Sequence, residues 1–242
     1  MNKIFLLPLL LCVCLCGTSC REKTVTGSGP SISENRQVQK FTAIDISSMV
    51  NATIIIDSSA SPSIKVAGYE NLVKLLKTEV KDNTLKIYMP DDINTNSDQD
   101  LTVLITVSTI SALSLSGSVD ADIQGNLRAN DFDLDISGAC DAKLHNIVTS
   151  NLSAGISGTG KVIINGGTAQ KATFSVSGAG SIKAYPLQSS EAIVEVSGVG
   201  DIELTASQKL KVEISGAGNV HYKGHPEVSS ETSGAGALVN SN

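Results

Sequence analysis

The dipeptide Ser-Gly recurs seven times between residues 116 and 234 of this 242-residue chain, with its glycines at Gly117, Gly138, Gly158, Gly178, Gly198, Gly216 and Gly234. The intervals are 21, 20, 20, 20, 18 and 18 residues. A near-constant period of this length marks stacked repeats, because one such unit cannot bury its own apolar face. The last five repeats add a second glycine two places on, at Gly160, Gly180, Gly200, Gly218 and Gly236. Aligned on the dipeptide, apolar residues fall at even offsets. Two places before the glycine stand Leu115, Ile136, Ile156, Val176, Val196 and Ile214; four places after it stand Ala121, Ala142, Val162, Ile182, Ile202, Val220 and Leu238. Even spacing places them on one strand face, and polar residues such as Lys211 and Glu213 alternate with them. Each repeat reads as a strand, a Gly-rich corner and another strand. The fold expected is all-β, a parallel β-solenoid with rungs of about 20 residues stacked about 4.8 Å apart. The corner glycines are expected to supply positive φ, and the serine hydroxyls to bond nearby backbone.

Residues 38–110 are also β-rich, with strands expected at ATIIID (52–57), SIKVAG (63–68), NTLKIYM (83–89) and LTVLITV (101–107). The stretch 69–80 holds a short helix or turn. The chain thus divides into residues 1–19, 20–37, 38–110 and the repeats at 111–242. With 41% apolar and 17% charged residues it is not a disordered chain. A net charge of −6 argues against a nucleic-acid partner.

Residues 1–19 read as a secretory signal peptide: Lys3 precedes an apolar run from Ile4 to Cys16 that is too short to span a bilayer. Gly17, Thr18 and Ser19 before Cys20 match a bacterial lipoprotein cleavage site, with Gly17 where a leucine is usual. Cys20 is the expected lipidation site, and a three-chain anchor with its palmitate exceeds the two signals needed for stable membrane attachment. Cleavage leaves a mature charge of −7 and Cys140 as the one other cysteine, which reads as a small buried residue. Residues 20–37 lack hydrophobic periodicity and read as a flexible tether with a reach of about 20–25 Å.

The order F…I-D-I…A-T-I-I-I-D…I-K-V-A-G…N-L…T-E-V…N-T-L-K-I, followed by S-G-A-G rungs, resembles the auto-transporter adhesin head domain family, also called the head GIN domain. The likeness covers about residues 38–240. It implies a right-handed β-helix in a non-catalytic envelope lipoprotein of Gram-negative bacteria, held at the outer membrane. It supplies no functional residues to carry over, and the residues themselves call for no cofactor and no metal.

Several residues invite a sharper chemistry. Glu195, Glu213 and Glu231 stand three places before the last three glycines, so carboxylates should stack on successive rungs. The spacing approaches that of retaining glycosidases. Any acidic column on a solenoid would give it, so the column reads as an exposed charge stripe and a weak binding candidate. In the loop at 91–100, Asp92, Asn94, Asn96, Asp98 and Asp100 alternate like calcium ligands, but Ser97 and Val103 replace the glycine and glutamate of an EF-hand. His221 and His225 follow a strand, where four residues span too far for one ion. Phe174 and Tyr222 fall in inward columns; Tyr185, beside Pro186, reads as exposed. No histidine accompanies the serine column as a general base. The leading function is a non-enzymatic adhesion or binding module with an unknown envelope or surface ligand. A polysaccharide-active β-helix enzyme and a purely structural spacer are the alternatives, since fold alone does not decide. The last rung turns polar at Ser230, Thr232 and Asn240, a capping signature that allows at most a weak homodimer.

Overall fold

Apolar residues at every second position make long strands, and in the computed structural model, which describes residues 23–242, these strands wind into coils. The N-terminal part contributes β1 (Lys23–Thr26), β2 (Ser31–Arg36), β3 (Ala43–Ile56), β4 (Ser63–Tyr69), helix α1 (Glu70–Leu75), β5 (Lys77–Lys81), β6 (Thr84–Tyr88), β7 (Ile93–Asn96) and β8 (Thr102–Val107). The repeats follow as β9 (Ala112–Ile136), β10 (Ala139–Ile156), β11 (Thr159–Ile164), β12 (Gly167–Val176), β13 (Ala179–Val196), β14 (Ile202–Ile214), β15 (Val220–Lys223), β16 (Glu227–Thr232) and β17 (Leu238–Asn240). They form a parallel β-solenoid of about six turns with rungs about 20 residues apart.

The expected columns are in register. Ala121, Ala142, Val162, Ile182, Ile202, Val220 and Leu238 pair successively up the stack. So do Ile136, Ile156, Val176, Val196, Ile214 and Thr232. Within one coil the buried positions run Cys140, Ala142, Leu144, then Ile147, Thr149, then Leu152, Ala154, Ile156. The inward phase resets twice, so each coil has a third short segment besides the two flanking the Ser-Gly corner. Phe132 and Phe174 are the bulkiest fully buried residues of the core, and Phe41 joins them near its start.

The glycines serve a different purpose from the one expected. Among the seven, only Gly117 has positive φ, at 84°. From Gly138 onward, each lies so close beneath its neighbour that an added Cβ would overlap a backbone carbonyl oxygen of the preceding corner. Close stacking of coils, rather than a left-handed backbone, demands glycine there. The hydroxyls behave as expected at two corners: Ser137 donates to the Leu115 carbonyl at 3.5 Å and Ser157 to Ile136 at 3.3 Å. Cys140 occupies the column of the second glycines and is buried, which pushes its thiol pKa up.

The stretch 23–36 is not a free tether. β1 pairs in parallel with β7, and β2 pairs antiparallel with β4. Asn71 fastens the connection, accepting from the Ser28 amide and donating to the Thr26 carbonyl, both at 2.8 Å. Arg36 donates to the Leu76 carbonyl at 2.6 Å and to that of Val73, tying β2 to the end of α1. Cys20 and the signal segment lie outside the described residues.

Candidate functional site

Glu195, Glu213 and Glu231 do stack in register on the outer face of the last coils, and all three are exposed. Lower in the same column stand Asp135, Gly155 and Ser175. Beyond the intervening outward column of Thr173, Ile193, Lys211 and Ser229 runs a mixed one, Lys171, Glu191, Lys209 and Glu227, in which Lys209 and Glu191 form an ion pair at 3.5 Å. This wall is a charge ladder on open strands.

The segment 91–100 is no wrapped loop. Its centre is β7, an extended strand whose alternate side chains stand about 6.6 Å apart along one face. Asp98 accepts from the Tyr69 hydroxyl at 2.9 Å, a bond that pushes the phenol pKa up, and Asp100 accepts from Asn51 at 3.0 Å. The oxygens are thus spread along a strand and partly engaged. Among the described residues, no three His, Cys, Asp or Glu side chains gather as metal ligands.

A second polar group was not anticipated. His145 lies 2.9 Å from Asp122, and Gln124 donates to the same carboxylate at 2.6 Å. Partial burial pushes the Asp122 pKa up. The hydrogen bonds from Gln124 and His145, and the charges of His145 and Lys143, outweigh it and hold the carboxyl below its usual range. The pair could be read only once stacking set Asp122 one rung below Lys143, since 23 residues separate it from His145. Phe174 is buried as expected and Tyr222 packs against the core; Tyr185 carries the Lys223 ammonium 4.6 Å above its ring.

A concave surface lies on the third segment of the coils, where no motif pointed. It is a shallow valley of about 500 Å³. Its floor follows the small residues Ala129, Thr149, Ala169 and Ser189, stacked in register. Val148, Thr168 and Gln188 form one bank, and Ser150, Gln170 and Ser190 the other. Thr149 donates to the Asn130 carbonyl at 2.9 Å and Ser189 to that of Thr205 at 2.6 Å, which fixes the floor. The sequence signal was a 20-residue recurrence of short polar residues, which resembles a run of turns.

A column of stacked parallel coils with side-chain ladders on its walls defines the chain as a β-solenoid. The family described as "Putative auto-transporter adhesin, head GIN domain" matches residues 40–226, and the chain belongs to that family. Among solved structures it resembles a protein described as a putative adhesin from Bacteroides fragilis NCTC 9343, at 26% identity over 90% of this chain and 100% of that one, with a TM-score of 0.86. One from Parabacteroides distasonis ATCC 8503, described as a putative lipid binding protein, matches at 25% identity over 91% of this chain and 100% of that one, with a TM-score of 0.72. A putative adhesin from Parabacteroides merdae ATCC 43184 shares the fold at 19% identity, covering 90% and 99% of the two chains, TM-score 0.73. No curated protein matches the chain in sequence. The family supports an adhesion or binding role at the cell surface or envelope.

Proposed function

We propose that this chain is a non-enzymatic envelope lipoprotein, anchored through Cys20 to the outer membrane of a Gram-negative bacterium, whose solenoid walls serve as an adhesion or binding surface. The observation that carries the reading is the wall itself. Seven successive corners hold outward side chains in register over one continuous apolar core. Such a surface is ordered before a ligand arrives, so little conformational entropy is lost on binding. The fold also changes how the anchor acts. Only Arg21 and Glu22 separate Cys20 from β1, so an acylated Cys20 holds the domain close to the lipid headgroups and not at the reach of a long tether. The protein works as a monomer or at most a weak dimer.

Membrane fractionation tests the anchor: the chain partitions into detergent with membranes, and Cys20→Ser releases it. Unchanged partitioning in the variant removes the lipoprotein reading. Protease treatment of intact cells tests exposure. A domain fully protected until the outer membrane is broken is no adhesin.

A further inference from the structure

We propose that the valley on the third segment of the coils binds a neutral oligosaccharide lying along the solenoid axis. The inference rests on the binding role above and names its ligand class. Three features of the valley select that chemistry. First, it has no charge: every side chain lining it is a small apolar residue, a hydroxyl or an amide. Arg128 continues one bank a rung below Val148, so a polyanion meets a cation only at the foot of the valley and a basic peptide meets no carboxylate among the lining residues.

Second, its banks carry unused hydrogen-bonding capacity. Thr168, Gln170, Gln188, Ser150 and Ser190 make no side-chain hydrogen bond within the described protein, whereas nearby polar columns are spent on one another. Asn146 donates to Asn126 at 2.8 Å, and Asn151 to Asp131 at 2.7 Å. Amides and hydroxyls both donate and accept, which suits the hydroxyls of a sugar. Val148, on the same bank, offers an apolar surface to the C–H face of a ring.

Third, most of the floor excludes peptide capture by strand addition. β10, β12 and β13 are paired on both sides within the valley, and only β9 at its lower end, beyond the reach of β3, keeps an unpaired edge. The valley's lining also lacks the aromatic or Arg anchors that carry protein–protein affinity. Its volume of about 500 Å³ falls in the range of ligand sites, roughly 300–1,000 Å³. The groups on each bank recur once per coil, about 4.8 Å apart. Sugar units placed end to end along the axis therefore meet at least one hydroxyl or amide at each rung.

Calorimetric titration of the detergent-solubilised full chain tests this, with neutral gluco- and manno-hexaoses as ligands and an oligogalacturonate as the acidic comparison. Saturable binding of a neutral hexaose is expected, weakened at least tenfold in the double variant Gln170→Ala/Gln188→Ala and unchanged in Lys81→Gln on β5, away from the valley. Val148→Arg, which projects a long cation over the valley, should abolish it. An unchanged melting temperature in these variants separates lost binding from lost fold. Failure of every neutral hexaose to saturate overturns the proposal, as does binding that survives the double variant or favours the oligogalacturonate. A chain that still mediates adhesion while binding no neutral hexaose retains the binding role and loses only this site.

Discussion

The two ends of the solenoid face the same problem and meet it differently. At the first coil, β3 is overlaid by β6 and β8, with α1 and β4 outside them, and Leu72, Val73, Leu76, Ile87 and Ile105 are buried against it. At the last coil nothing among the described residues overlies the chain. All six residues of β16 are exposed, and Ser230 and Thr232 continue columns that are Val212 and Ile214 one rung below. An open strand edge over an apolar end would recruit another chain. One end is covered with extra structure; the other is made unattractive by composition.

The corners show the same divide, and the largest effect expected from substitution lies there. In the repeats a Cβ at Gly178 would overlap the Gly158 carbonyl, whereas at the first coil the partner of Gly117 is Ser48, which carries a side chain. Ser48 is tolerated because the chain beyond it on that side is the 89–95 segment and not another corner. Its hydroxyl is buried without a partner. Gly178→Ala should cost about 3 kcal/mol, because the clash is with backbone that cannot turn aside. Ser48→Ala should stabilise by about 1 kcal/mol, by removing an unsatisfied group. Thermal unfolding of the two variants checks both signs. A neutral Gly178→Ala would mean the coils can part at the corner and would end the close-stacking account.

Much of this architecture is legible in the sequence because stacking repeats the same inward residue at each rung. The strands at 52–57, 63–68, 84–88 and 102–107 announce themselves by alternation, and α1 falls inside the 69–80 stretch. What could not be read has a common physical cause. β1 and β2 bury almost nothing, so no apolar alternation betrays them; their pairing with β7 and β4 is decided by distant chain. The third segment of each coil turns Ala129, Thr149, Ala169 and Ser189 toward the core, and small or hydroxylated residues carry no hydrophobic signature. The valley above them was therefore invisible, while the Glu195–Glu213–Glu231 column was found because charge is conspicuous in a sequence.

The contrast between the ends can be broken by rewriting the last coil. Ser230→Val with Thr232→Ile restores the apolar column at the bare edge and gives it the character of an interior rung. The variant should associate in a concentration-dependent way, while the natural chain stays monomeric or weakly dimeric, as sedimentation velocity over a range of concentrations would show. A variant that remains monomeric throughout would mean that the exposed edge is guarded by something other than composition.

The smallest effect sharpens the comparison between a ladder of like charges and one of opposite charges. Near the covered end, Asp122 sits among Gln124, His145 and Lys143, and its carboxyl is held below the usual range. A carboxyl depressed in the folded state contributes stability that is present above its unfolded value, about 3.9, and lost as pH falls through the lower folded value. Asp122→Asn should therefore lower the melting temperature at pH 6–7, with the difference from the natural chain closing below about pH 3. The group is well exposed, so solvent screening limits the effect to roughly a degree or two. His145→Ala, which removes one of the two hydrogen-bonded partners, should give a smaller loss of the same sign. If Asp122→Asn instead destabilises equally at pH 7 and pH 3, the carboxylate's charge is irrelevant and the residue matters only for its shape.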